Sequence, residues 1–219
     1  MVGDGQETPN GSRRLQRGGV TDGPFLPWHP MRFFTADLHL GHTNIVGYSH
    51  RPYTSVSEMN DALIANWNVT VEPGDEVWVL GDVALGRITE TLPLVEHLAG
   101  RKHLVPGNHD RCWPGHRRVR PADITMYEDV GFEIHPAEVR LTIGGHDVLA
   151  CHFPTAGDSH DKDRFDDHRP HPGASEWLLH GHVHEKWRVH ERQINVGVDV
   201  WNYLPVAESE LARLMLAEL

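Results

Sequence analysis

Met31-Arg32-Phe33-Phe34-Thr35-Ala36-Asp37-Leu38-His39 is an apolar run of strand character that ends in a carboxylate and an imidazole two residues apart. The same join recurs down the chain. Glu76–Leu80 runs into Gly81-Asp82, and Lys102–Val105 into Pro106-Gly107-Asn108-His109-Asp110. Further on, Asp147–Ala150 runs into Cys151-His152, and Glu176–Leu179 into His180-Gly181-His182-Val183-His184. Val139–Ile143 and Ile194–Val198 are two more runs of the same kind. Polar groups therefore collect at the C-terminal ends of at least five expected strands, the edge at which α/β sheets bind ligands.

Helical stretches separate the first runs. Ser55 and Glu58 stand at capping-box spacing, and Met59, Leu63, Ile64 and Trp67 then fall on one face. A second helix is expected around Leu94–Ala99, stopped by Gly100. Gly144-Gly145 between two strand runs reads as a hairpin turn. A β-α-β-α-β order followed by hairpins implies an α/β domain with a mixed sheet, or with two packed sheets. Residues 1–30, rich in Gly, Pro and polar residues, read as a disordered or loosely attached extension that docks, if at all, through Phe25 and Trp28, and residues 31–219 as the domain. Gly157–Pro172, dense in charge, His and Pro, reads as an exposed loop.

Composition narrows the function. With 219 residues the chain suits one domain. A formal net charge of −11 disfavours a protein that grips nucleic acid by its phosphates, which calls for a basic stripe. Cys112 and Cys151 make no CxxC pair and fit a reducing, cytoplasmic setting. No apolar run approaches a membrane span, and Arg13-Arg14 lacks the apolar region of an export signal. The phosphate loop, the G-x-S-x-G elbow and the H-E-x-x-H zinc motif are all missing. Histidine is over-supplied at 18 residues, which turns attention to metal.

Asp, His and Asn offer oxygen and nitrogen ligands suited to manganese, iron, zinc or nickel. In an extended D-x-H or H-x-H the side chains at i and i+2 point the same way, so both reach one cluster. The glycines at 81, 107 and 181 let the backbone turn sharply beside it. Each motif alone is weak: Gly-Asp is a common turn, and Asn108-His109-Asp110 could be a β-turn. Five of them in one order, each at a strand end, point to a shared site.

Together these motifs resemble the calcineurin-like metallophosphoesterase superfamily, in its small bacterial and phage-type branch. The pattern D-x-H, G-D, G-N-H-[DE], H and G-H-x-H appears as Asp37–His39, Gly81-Asp82, Gly107–Asp110, His152 and Gly181–His184, over residues 31 to 205. Asp37–His42 also matches the D-x-H-x-G-H opening of that branch, and Asn195–Trp201 looks like its closing strand. The resemblance implies a four-layer α/β sandwich of two mixed sheets flanked by helices. It implies two divalent metal ions, manganese first, with iron, zinc or nickel as alternatives. Asp37, His39 and His184 would hold one ion, Asn108, His152 and His182 the other, and Asp82 would bridge them. Two ions about 3.5–4 Å apart do need an anionic bridge, and they would activate a water against a phosphoryl group. His109 would be the general acid for the leaving oxygen, and Asp110 would orient it from behind.

The substrate expected is a phosphomonoester or phosphodiester, in contact with Asn108, His42 and Arg111. For His42 the plainer reading is a helix-start histidine, and for Arg111 a solvated surface cation. His160, His168 and His171 either line the cleft or face solvent. A nuclease is the alternative, opposed by the acidic charge. A non-catalytic metal-binding scaffold would predict lost ligands, and none is lost. No membrane partner is expected, and the oligomeric state is left open.

Overall fold

A computed structural model of the chain describes residues 30–217; the extension expected over residues 1–29, with Phe25 and Trp28, lies outside the described residues. Among the described residues ten strands form two five-stranded mixed sheets. The first sheet contains β1 (Arg32–Thr35), β2 (Glu76–Val79), β3 (Arg101–Leu104), β4 (Phe132–Ile134) and, from the far end of the chain, β10 (Val206–Ala207). Its order is β10-β1-β2-β3-β4, parallel except for β10. The second sheet contains β5 (Glu138–Ile143), β6 (His146–Cys151), β7 (Trp177–His180), β8 (Val189–His190) and β9 (Gln193–Asn195), in the order β5-β6-β7-β9-β8. Its centre, β6-β7-β9, is parallel, and both edge strands are antiparallel.

Alternation along the strands sorts the core. Phe33, Val77, Val79 and Leu104 face one way, onto a cluster with Met59, Leu63 and Trp67. Phe34, Ala36, Trp78, Leu80 and Val105 face the other way, onto Val148, Ala150, Trp177, Leu179 and Ile194 of the second sheet. This period-2 split is what a strand buried on both faces requires. The outer face of the second sheet, Leu149, Cys151 and Leu178, lies under Trp113, Phe153 and Phe165 from irregular segments.

Among the described residues five α-helices flank the sheets: α1 (Ile45–Tyr48), α2 (Val56–Thr70), α3 (Ile88–Thr91), α4 (Pro121–Asp129) and α5 (Glu208–Ala217). α2 is the expected helix. Ser55 accepts from the Glu58 N–H, while the Glu58 carboxylate accepts from Thr54 N–H rather than closing the box on Ser55. The helix expected at Leu94–Ala99 starts earlier, at Ile88, and tightens into a 3₁₀ segment over Leu92–His97 that carries Pro93 in its first turn. Gly144 and Gly145, at φ 56° and 87°, join Ile143 to His146 as a two-residue hairpin turn whose positive φ values match the strand twist. Both cysteines are free and buried. Among the described residues no helix is long and apolar enough to cross a membrane.

Candidate metal centre

The two sheets meet at their C-terminal strand ends. Ala36 bridges to Gly197, and the Val198 N–H donates to Ala36 O at 3.1 Å. The loops after β1 and β2 run together, with Asp37 N–H on Gly81 O at 3.1 Å and His39 N–H on Asp82 O at 3.0 Å. The expected motif residues therefore arrive from both sheets at one place.

They do not arrive as extended chain. Asp37, His39, Asp82, His182 and His184 have φ of 56°, 52°, 58°, 70° and 49°, all left-handed. The strand ladders have ended by then, and left-handed turns swing the side chains across the sheet ends. This corrects the expected i, i+2 strand geometry. Such conformations cost about 1–3 kcal/mol each at non-glycine residues and gather where surrounding structure imposes them for function. Close backbone approach explains Gly181, where a Cβ would stand 2.5 Å from Asp37 Oδ2.

A buried cation imposes the first of these turns. Arg51, fully buried, donates to Asp37 O at 2.7 Å and Leu38 O at 3.0 Å, and makes a two-pronged pair with Asp199 at 2.8 and 2.9 Å. It has no motif around it, and sequence reading missed it.

Asp82 lies at the middle of the cluster. Its Oδ2 is 3.5 Å from His152 Nε2, 3.7 Å from His39 Nε2 and 3.9 Å from His109 Nε2. Asp37 Oδ1 stands 4.0 Å from His39 Nε2 and 3.9 Å from His184 Nε2, while Oδ2 accepts the His182 N–H at 2.9 Å. Two overlapping groups, Asp37–His39–His184 and Asp37–Asp82–His152, each bring their ligand atoms within 4.8 Å of one another.

The rings are held by their far nitrogens. His152 donates from Nδ1 to Leu80 O at 2.7 Å, His184 Nδ1 is hydrogen-bonded to Ser49 Oγ at 3.1 Å, and His182 donates from Nε2 to Asp158 Oδ2 at 3.0 Å. His152 Nε2 meets Asn108 Oδ1 at 3.1 Å, and His39 Nε2 meets His184 Nε2 at 3.1 Å. Asp37 Oδ1 is buried without a hydrogen-bond partner, about 4 Å from the Nε2 atoms of His39 and His184. An orphaned buried carboxylate oxygen facing imidazole nitrogens calls for a cation, so the residues present fit divalent metal.

The electrostatics agree. Burial pushes the Asp37 carboxyl up to about 8, against the pull of His152. Burial also acts on Asp82, but His152, His109 and the His109 N–H outweigh it and hold that carboxyl below its usual range. Burial lowers His39, takes His184 to about 3 and His182 to about 4, so these rings are neutral and able to bind metal at pH 7. His152 is raised, because Asp82 and Asp37 overcome its burial.

The remaining candidates separate. His109 is partly exposed beside Asp82 and opens onto a cavity of about 620 Å³ whose lining includes His39, His42, Tyr48, His160 and Arg164. His42 lies 5.4 Å from the His39 ring. Asp110 does not touch His109: neighbouring side chains diverge, and its carboxylate accepts from Gly107, Asp82 and Val83 N–H at 2.8, 2.8 and 3.1 Å. Arg111 lines a different depression, with His116, Arg118, Arg120 and Asp123. His168 packs on Trp113, with ring centroids 4.7 Å apart.

The loop over 157–172 is not simply exposed. Asp158 and Arg169 are buried, and Asp158 is held by Arg164 at 2.8 Å and His160 N–H at 2.9 Å while it accepts from His182. Burial would raise the Asp158 carboxyl, but its bonds to His182 and Arg164 keep it well below the usual range.

Fold and site define an α/β sandwich with a buried His/Asp cluster, fit to hold metal, at the joined ends of two sheets. The chain belongs to the family of the Gene 66 protein of Mycobacterium phage L5: the two are 34% identical over 199 residues, 84% of this chain and 93% of that protein. It is also 29% identical, over 84% of its length and 90% of the other's, to the uncharacterized protein MJ1445 of Methanocaldococcus jannaschii. A protein of unknown function, AQ665 from Aquifex aeolicus, shares the fold at a TM-score of 0.64 and 23% identity, over 85% of this chain and 100% of that one. No family model matches the chain.

Proposed function

We propose that the chain is a metal-dependent phosphoesterase that hydrolyses a phosphomonoester or phosphodiester. The observation that carries this reading is Asp82 Oδ2, within 3.9 Å of the Nε2 atoms of three imidazoles from three loops. Asp37, His39 and His184 would hold one divalent ion, Asn108, His152 and His182 a second, and Asp82 would contact both. When bound, the ions supply Lewis-acid polarisation of a phosphoryl oxygen and activation of water.

The rest falls to the chain's own groups. His182 keeps Nδ1 for metal, because Asp158 takes Nε2. His109, partly exposed at the cavity wall, donates a proton to the leaving oxygen of the ester. Its backbone N–H, on Asp82 Oδ1 at 2.9 Å, ties that loop to the central carboxylate. His42 and Arg164, on the lining of the same cavity, would meet the substrate's anionic oxygens.

The test is hydrolysis of p-nitrophenyl phosphate and bis-p-nitrophenyl phosphate after chelator treatment and Mn²⁺ re-addition. Turnover should return with the metal, fall about 10²–10⁴-fold in His109→Ala, and vanish in Asp82→Ala with the fold retained by circular dichroism. Full activity in purified Asp82→Ala would sink the reading.

A further inference from the structure

A second group of metal-ligand side chains lies away from the centre described above. His103 of β3 pairs in register with Glu133 of β4, and His135 follows two residues later on the same face. His103 Nδ1 is 3.0 Å from His135 Nε2. The two oxygens of Glu133 straddle this pair, Oε2 at 3.4 Å from His103 Nδ1 and Oε1 at 3.6 Å from His135 Nε2.

These separations have a meaning. Ligand atoms about 2.0–2.1 Å from a tetrahedral zinc-like ion stand about 3.3 Å from one another. The His103–His135 distance of 3.0 Å and the His103–Glu133 Oε2 distance of 3.4 Å are close to two edges of such a shell, and Glu133 turns its other oxygen to His135 at 3.6 Å. The rings are also pre-set: both imidazoles stack on the Trp78 indole, at 4.7 and 4.6 Å between centroids, tilted 14° and 30°. Ring stacking fixes the direction of the nitrogens before any ion arrives, which removes part of the ordering cost of binding. Glu133 is 67% exposed, so water has access to a fourth position.

We infer that His103, Glu133 and His135 form a second metal site, for one borderline divalent ion of the zinc, nickel or cobalt class. Two imidazoles and a carboxylate suit that class better than the harder magnesium or calcium. The ion clips β4, a three-residue strand at the edge of the first sheet, to β3, whose next residues lead into Pro106–Asp110. It shares no residue with the candidate centre and is independent of the phosphoesterase reading.

Chelator-stripped full-length protein is dialysed against Co²⁺ and the bound ions are counted by mass spectrometry. His135→Gln should bind one ion fewer than wild type, and Asp82→Ala should keep the ion that His135→Gln loses. Glu133→Gln, a change at an exposed position that leaves folding undisturbed, should bind that ion at least tenfold more weakly by titration calorimetry. Equal counts in wild type and folded His135→Gln overturn the site. So does a wild-type isotherm in Glu133→Gln, which decides the matter if His135→Gln does not fold.

Discussion

Asp110 and Asp158 are both buried carboxylates beside candidate ligands, and they work in opposite ways. Asp110 spends its oxygens mainly on backbone, accepting the N–H groups of Gly107, Asp82 and Val83, with the Tyr127 O–H more distant at 3.3 Å. It shapes the path of two loops of the first sheet. Asp158 accepts a side chain, His182 Nε2, and is itself gripped by Arg164. It decides which nitrogen of a ring carries the proton and which is left for metal. Asp110 braces its own loop at Gly107 and also the loop of Asp82 and Val83, whereas Asp158 lies 24 residues before its histidine. One carboxylate thus sets backbone shape, and the other sets ring orientation.

Removing Asp110 should have the largest effect. Asp110→Ala strands three buried N–H groups, each worth about 1–3 kcal/mol when unsatisfied. We expect a loss of about 3–5 kcal/mol in urea unfolding, with metal binding lost as Asp82 shifts. A loss below about 1 kcal/mol would mean that water replaces the carboxylate and that the loops need no brace. Asp158→Asn should act differently, by weakening metal binding about 10–100-fold in a chelator competition while unfolding moves by about 1 kcal/mol. Equal destabilisation by the two variants would erase the distinction between them.

The same distinction marks what could be read in advance. All seven strand runs correspond to strands, because alternating or continuous apolar residues report burial directly. β4, β8 and β10, of three, two and two residues, are too short to carry a period and exist through pairing with longer neighbours. The motif residues converge as expected, but through left-handed turns whose φ values no spacing reveals. Asp158 was hidden by its surroundings: a segment dense in charge averages to an exposed loop, and composition cannot single out its one buried carboxylate. Arg51 was hidden for the same reason, as a lone cation whose partner Asp199 is 148 residues away. Asp110 was legible as a residue but not as a role, since adjacency in sequence hid its divergence from His109.

Protons act on one candidate ligand from each sheet. Asp37, raised by burial to about 8, keeps a proton in the metal-free fold that the unfolded chain has released. Its contribution to stability therefore falls as pH rises from about 4 to 8. His184, lowered by burial to about 3, takes up its proton in the unfolded chain first. Its contribution is lost as pH falls below about 6.5. A divalent ion bound at Asp37 would replace that proton and release it. The rise in Tm on adding Mn²⁺ to stripped protein should accordingly grow between pH 5 and 8, by a few degrees. An increment flat across that range would show that Asp37 is already ionised without metal.

Arg164 gives the smallest effect and the finest cut. It touches both sides of the comparison, holding Asp158 at 2.8 and 3.1 Å while facing the 620 Å³ cavity. Its side chain is 40% exposed, so water screens the ion pair and the brace contributes about 0–1 kcal/mol. Asp158 would still be held by His182 and by the His160 N–H without it. Arg164→Ala should therefore change metal affinity by about threefold at most. A guanidinium that meets an anionic ester from the cavity wall contributes more, and KM should rise about tenfold. If instead metal affinity falls as far as in Asp158→Asn and KM stays put, Arg164 is part of the brace and the substrate anion is held by other groups on the cavity wall, His42 first among them.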